Sequence, residues 1–246
     1  MTTGLLASVT SVAEALIVLE CGADIIDLKN PQEGALGALP LSTIQEIVHA
    51  IAGRKPVSAT IGDLPMHPGQ IASAVEKTAA AGVDIVKIGF FGQVGHPECI
   101  GAVAPLTAGG VKVVAVLFAD IDPDFGLLPL LSQAGFHGVM LDTAAKNGIR
   151  LGDSLDEKSL RQFVDLSRSL GLLTGLAGSL SISDIPKLAE ISPSYLGFRG
   201  ALCRNSNRNN GLDRSHLAHA VEVLRKSNTS QQKTVEYQQP LLLVPF

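Results

Sequence analysis

The stretch Cys21-Gly22-Ala23-Asp24-Ile25-Ile26-Asp27-Leu28-Lys29 decides the fold, because its plan recurs. Ala81-Gly82-Val-Asp-Ile-Val-Lys87-Ile-Gly89 and Ala134-Gly135-Phe-His-Gly-Val-Met-Leu-Asp142 repeat it: a glycine, then an apolar run rich in β-branched residues. A glycine at such a point ends a helix in the left-handed region, and the run behind it suits a strand. Gly171 stands before an apolar run in the same way. Working outward, strands are expected at 4–8, 24–29, 57–62, 84–90, 113–119, 138–144, 173–179 and 195–201. Helix-like segments lie at 11–21, 42–52, 68–81, 97–107, 126–134, 155–170, 183–190 and 214–227. Strands alternating with helices form βαβ units and a parallel sheet. Eight units within about 225 residues fit the α/β class as a closed (β/α)8 TIM barrel in a single domain. An open doubly wound sheet fits less well, since no Gly-x-Gly-x-x-Gly turn follows the first strand.

Three helix starts read as capping boxes: Ser11 with Glu14, Ser42 with Gln45, and Ser154 with Glu157. The barrel is expected over 1–226, and 227–246 forms a tail, a polar linker ending in the uncharged Pro-Leu-Leu-Leu-Val-Pro-Phe of 240–246. Two readings of that end stand side by side. It is a disordered terminus, or an apolar segment that docks on its own barrel or a neighbouring subunit, and a homo-oligomer is expected.

Composition narrows the function. Hydrophobic residues make up 46% of the 246 and charged ones 17%, which excludes a disordered or fibrous chain. The net charge of −4 leaves no basic footprint for nucleic acid. No 18-residue apolar run and no basic, apolar leader are present, so neither a membrane span nor a secretory signal is expected, and the cytoplasm is. Three scattered cysteines are too few for a disulfide framework. Six histidines show no metal spacing, so no metal is expected. A small molecule remains as the partner.

The glycine register places the charges. Asp27 and Lys87 each lie five residues past their glycine, and Lys29 and Asp142 each lie seven past theirs. Side chains two apart share a face of a strand, so all four point into the barrel. Lys146 follows the sixth strand on the C-terminal face, where barrel enzymes keep their active sites. With ten lysines in the whole chain, three at strand ends beside two aspartates form a cluster. Buried charges demand partners, so a structural salt-bridge network is the plain alternative to an active site. A lysine crowded by cations and apolar walls loses its proton more readily and attacks carbonyls to form an iminium. Carboxylates and a second lysine then move protons, which describes an amine-catalysed aldol, isomerase or dehydratase site. Lys29 lies two residues further along its strand than Lys87 does along its own, nearer the mouth, and is the expected nucleophile.

The seventh and eighth strands run into Gly175-Leu-Ala-Gly178-Ser179 and Gly197-Phe-Arg199-Gly200-Ala201. Loops at this point of such barrels cradle phosphate. Gly178, Ser179, Arg199, Gly200 and Ala201 are therefore candidate phosphate ligands, and a phosphorylated carbonyl compound is the expected substrate class. Glycine relieving a tight turn is the plain alternative. Asp63 and Asp120 end strands 3 and 5, where each touches substrate or caps a turn. Lys146 and the loop near Gly34–Gly37 are candidates for a further phosphate niche.

These residues resemble a known family. Asp24-Ile-Ile-Asp-Leu-Lys-Asn-Pro-Gln-Glu-Gly-Ala-Leu-Gly37, Ser58-Ala-Thr-Ile-Gly-Asp63, Val86-Lys-Ile-Gly89, Met140-Leu-Asp-Thr-Ala-Ala-Lys146, Leu176-Ala-Gly-Ser179 and Phe198-Arg-Gly-Ala201 are similar to the motifs of (5-formylfuran-3-yl)methyl phosphate synthases. The resemblance runs over about 4–226. It implies a (β/α)8-barrel lyase of methanofuran biosynthesis that joins two glyceraldehyde 3-phosphates, releases phosphate and water, and needs no cofactor. It implies Lys29 as the iminium-forming residue, with Asp27, Lys87, Asp142 and Lys146 at the other catalytic positions. Two alternatives remain open at this point: a class I aldolase or triose-phosphate isomerase-like enzyme, and a non-catalytic phosphate-binding barrel.

Overall fold

The computed structural model describes residues 2–145 and 148–238, with side chains through Ser230. Strands β1 (Gly4–Val9), β2 (Ile25–Leu28), β3 (Val57–Thr60), β4 (Ile85–Gly89), β5 (Val113–Phe118), β6 (Gly138–Asp142), β7 (Leu173–Leu176) and β8 (Tyr195–Phe198) pair in parallel and in chain order. β8 returns to β1, with Gly4 opposite Tyr195 and Leu6 opposite Gly197, so the sheet closes. Helices α1 (Val12–Cys21), α2 (Leu41–Ile51), α3 (Pro68–Ala80), α4 (His96–Ala108), α5 (Leu128–Gln133), α6 (Leu151–Ser154), α7 (Glu157–Ser169), α8 (Ile185–Glu190) and α9 (Arg214–Gln238) lie between and after the strands. The chain is a single-domain (β/α)8 barrel.

Alternation along each strand divides the buried residues. Ala7, Ile26, Leu28, Ala59, Ile88, Leu117, Val139 and Leu196 face outward and fill the layer under the helices. Leu6, Val114, Val116, Phe118, Met140, Ala177 and Tyr195 face inward and plug the barrel. That inner plug leaves the interior positions at the C-terminal ends of β2, β4 and β6 to charged side chains.

Helix ends differ in part from the sequence reading. Gly22, Gly82, Gly135 and Gly171 do adopt left-handed φ values of 80°, 94°, 74° and 76°. Ser11 caps α1, its hydroxyl accepting the Glu14 N–H at 3.3 Å. The other half of that box is absent, because the Glu14 carboxylate turns to the Thr10 N–H and to Arg199. Ser42 caps nothing, since α2 starts at Leu41 behind Pro40. Ser154 ends the short α6, and Asp156 caps α7 by accepting the Ser159 N–H at 2.8 Å. The last helix runs to Gln238 rather than stopping at 227. Hydroxyls of Ser227 and Thr229 donate to carbonyls four residues back, so polar side chains satisfy themselves within the helix. The apolar end at 240–246 lies outside the described residues.

One buried ion pair ties the loop after β8 to the start of the chain. All five guanidinium donors of Arg199 are engaged. Nε donates to the Arg208 carbonyl at 2.9 Å, Nη1 to the Ser8 carbonyl at 3.1 Å and Glu14 Oε2 at 2.6 Å, and Nη2 to Glu14 Oε1 at 3.3 Å and the Asn210 carbonyl at 3.0 Å. Glu14 also accepts the Leu212 N–H at 3.1 Å. Burial alone would raise the Glu14 pKa, but the Arg199 bond and charge and two backbone N–H groups outweigh it and hold the carboxyl below its ordinary value. Its stabilising contribution is therefore present above that ordinary value and lost as pH falls through the depressed one. Glu14→Gln is expected to lower unfolding free energy by about 3–5 kcal/mol at neutral pH. In urea titrations the gap from the wild type should shrink as the pH drops below the ordinary carboxyl range, and a gap that grows there would contradict this account.

Candidate active site

The strand register carries four charges into one place. β2 turns Ile25, Asp27 and then Lys29 inward, β4 turns Ile85 and Lys87 inward, and β6 turns Met140 and Asp142 inward. Asp27 pairs in register with Ser8 on β1 and Ser58 on β3, so hydroxyls flank it on both sides. Ser8 Oγ donates to Asp27 Oδ2 at 2.9 Å, and Ser58 Oγ donates to Oδ1 at 2.7 Å. Lys87 Nζ donates to the same Oδ1 at 2.9 Å. Across the barrel Lys29 Nζ lies 3.6 Å from Asp142 Oδ2. Exposure is 0% for Asp27, 2% for Lys87, 4% for Asp142 and 7% for Lys29, so the Lys87 pair is the deeper of the two.

Burial pushes the Asp27 carboxyl up, but Lys87, then Lys29, and the Ser58 and Lys87 hydrogen bonds outweigh it, and the pKa falls below its ordinary value. Tyr195 sits inside the barrel, and burial together with the Asp27 charge drives its phenol far above the usual range. The Tyr195 ring occupies the space a side chain on Gly175 would need, since a Cβ there would come within 2.5 Å of it.

A cavity of about 550 Å³ opens over these groups at the C-terminal mouth. Asp27, Lys29, Lys87 and Asp142 line it, and so do Gly178, Ser179, Arg199, Gly200 and Ala201. Lys146 lies outside the described residues. Gly178 and Ser179 have successive positive φ values of 110° and 49°. These two left-handed residues make a tight turn on the cavity wall. Arg199 lines the wall with its donors already taken by protein oxygens, so its charge orders the loop. The sequence reading had no sight of Glu14 as its partner.

Two other carboxylates are turn clamps. Asp63 accepts the N–H groups of Ala35 and Leu36 at 2.8 and 2.7 Å and fixes the loop after β2. Asp120 accepts those of Ala144 and Ala145, each at 2.7 Å, and fixes the start of the loop after β6. Ser8 and Arg150, which the sequence did not single out, also line the cavity, and so does Arg208, from a polar loop at 204–211 that the sequence offers either as a cover for phosphate or as a solvated turn. Ser8 has the inward parity of its strand and was findable by the same count as Asp27. Arg150 and Arg208 lie in aperiodic loops, where no such count applies. Arg150 is ion-paired to Asp184. Among the described residues no group of His, Cys, Asp and Glu side chains could hold a metal ion. Among them, too, no helix is long and apolar enough to cross a membrane.

Lysine–carboxylate pairs beneath glycine-rich loops, at the C-terminal mouth of a (β/α)8 barrel, are laid out as the active site of a barrel enzyme. The chain belongs to the 4-HFC-P synthase family, whose model matches residues 5–221. The (5-formylfuran-3-yl)methyl phosphate synthase of Methanopyrus kandleri is 38% identical over 229 residues, covering 88% of this chain and 96% of its own. That of Methanosarcina mazei is 39% identical over 210 residues, covering 81% and 90%. A Methylorubrum extorquens protein is 45% identical over 221 residues, covering 90% and 91%. Among solved structures, phosphoribosyl anthranilate isomerase of Thermus thermophilus superposes with a TM-score of 0.64 at 13% identity, over 90% of this chain and 98% of that one. The 3-hexulose-6-phosphate synthase of Salmonella typhimurium gives 0.64 at 18%, over 92% and 100%. At those identities the likeness is one of fold.

The depressed Asp27 pKa has a direct readout. In ¹³C-carboxyl spectra recorded from neutral pH downward, the Asp27 signal should stay that of a carboxylate as the pH passes 3.8, the ordinary aspartate value. A signal that titrates at or above the ordinary value would refute the pairing with Lys87.

Proposed function

We propose that this protein condenses two molecules of glyceraldehyde 3-phosphate into (5-formylfuran-3-yl)methyl phosphate, a lyase reaction of methanofuran-type biosynthesis, through an iminium on Lys29. One observation carries the reading: two lysine–carboxylate pairs, one deep and one at the mouth, line a single cavity under the glycine-rich loops. Family membership adds the identity of the product. One phosphate and two waters leave overall, so the site must both form a carbon–carbon bond and eliminate leaving groups. An iminium serves both, since it acidifies the neighbouring carbon and stabilises the resulting enamine.

Each residue takes a role from its place. Lys29, the more exposed lysine, meets the incoming carbonyl carbon. Asp142, 3.6 Å from its Nζ, accepts the proton that the amine must lose before attack. Lys87, held by Asp27, donates to the carbonyl oxygen as it leaves as water. Asp27 stays ionised and holds the Lys87 head group in place. Lys146 belongs to the same proposed group on its motif alone. The Gly178–Ser179 turn and the Gly200–Ala201 segment offer N–H groups to phosphate, with Arg199 ordering the latter loop.

Borohydride reduction in the presence of glyceraldehyde 3-phosphate tests the assignment. Wild-type protein should gain a stable secondary amine at Lys29, and without borohydride the product should absorb in the near ultraviolet as a furan aldehyde. Lys29→Arg should abolish both. Lys87→Arg should slow turnover by about 10²–10⁴ while still allowing trapping. Trapping retained by Lys29→Arg and lost in Lys87→Arg would reverse the two roles, and a product without furan absorbance would point to an ordinary aldolase.

A further inference from the structure

Arg208 lies on the wall of the cavity, in the loop after β8. Among the described residues its guanidinium makes one hydrogen bond, from Nη2 to the Gly34 carbonyl at 2.9 Å, and no ion pair. A guanidinium carries five donors, so most of this one remains unused. The contrast within the same cavity is sharp. Arg199 has every donor engaged, and Arg150 is neutralised by Asp184. Arg208 is also half-buried, and burial acts against its charge, with Asp142 and Asp63 offsetting that cost without touching it. A half-buried cation with most of its donors open on a cavity wall is suited to bind an anion.

The geometry around it is built rather than incidental. Arg199 Nε holds the Arg208 carbonyl, which fixes the backbone. The Gly34 carbonyl fixes the head group, and that carbonyl is itself held in place. Gly34 has φ 105°, and a Cβ there would fall 2.0 Å from Asp63 Oδ2, so only glycine fits the clamped loop. Beneath Arg208, a Cβ on Gly200 would lie 3.9 Å from the arginine's own Cβ, and the missing side chain leaves room there. Asn205 and Ser206, with consecutive φ values of 56° and 53°, turn the chain back toward the mouth. Asp142, one of the charges that Arg208 feels, is the partner of Lys29.

We infer that Arg208 is the cationic anchor of a second phosphate subsite, between the loops after β2 and β8, which takes the phosphate of the triose whose carbonyl meets Lys29. The subsite rests on the reaction proposed above, and it supplies the second niche that two phosphorylated substrates require. A phosphate monoester fits because its oxygens match the guanidinium fork and its charge complements that of the arginine.

Inorganic phosphate is the first probe. Calorimetric titration of the full-length wild type, Arg208→Gln and Arg208→Lys should show phosphate affinity reduced at least about tenfold at one site in Arg208→Gln, with part of it restored by Arg208→Lys. The second readout is borohydride trapping with glyceraldehyde 3-phosphate against unphosphorylated glyceraldehyde. The preference for the phosphorylated compound should fall by about tenfold or more in Arg208→Gln. Unchanged phosphate affinity, a wild type that binds no phosphate, or equal losses for both aldehydes would each overturn the subsite. If the wild type makes no furan, the proposed reaction fails, and the phosphate titration still decides Arg208 by itself.

Discussion

The molecule is organised around a cost: charged side chains placed inside a barrel where water is scarce. Bringing a carboxylate or an ammonium into such a place is expensive unless each meets an opposite charge and its remaining lone pairs or protons are satisfied. Asp27 answers that demand most completely, with two hydroxyls and an ammonium around it and no exposed surface. The strand register makes this possible, because Ser8, Asp27 and Ser58 are neighbours across three strands. Lys29 and Asp142 sit higher and more loosely, at 3.6 Å. The looser pair lies nearer the mouth of the cavity, and the tighter one forms a fixed electrostatic floor beneath it.

A second theme is the use of carboxylates as staples for the loops at the mouth. Asp63 takes two backbone N–H groups of the loop after β2, and Asp120 takes two after β6. Glu14 holds the loop after β8, through Arg199 and directly through Leu212. A carboxylate that accepts two N–H donors satisfies groups that a loop cannot pair within itself, and it does so with charge-assisted bonds. Three loops are thereby held without regular secondary structure. This lets the strained Asn205–Ser206 turn of the loop after β8 persist beside the cavity.

Legibility in the sequence followed periodicity. The eight strands and the inward set Asp27, Lys29, Lys87 and Asp142 could be counted from glycines that end helices, because strand parity is a rigid rule over four to six residues. Where the chain leaves a strand the rule lapses. Arg199 read as a phosphate ligand by position, but its partner Glu14 is 185 residues away, and no local pattern announces that meeting. Arg208 sits in an asparagine-rich stretch whose composition fits a loop over phosphate and a solvated turn equally well. Ser154 resembled a cap and lost to Asp156, since an extra turn of helix at Leu151–Ser154 moved the start of α7. The extension of α9 was hidden by its composition, because serine, threonine and asparagine usually mark loops.

The ends of the folded barrel meet at the face opposite the cavity. The Thr3 N–H donates to Asn228 Oδ1 at 3.1 Å, and Asn228 Nδ2 returns a bond to the Thr3 carbonyl at 2.9 Å. The barrel is thus nearly a ring in connectivity as well as in shape. Joining those two points by a short linker and opening the chain elsewhere would produce a circular permutant with the same closed sheet. Cargo fused beside Asn228 would hang from the floor of the barrel, a full strand length from the chemistry. The molecule therefore separates two kinds of evolutionary freedom, with one face open to substrates and the other to attachments.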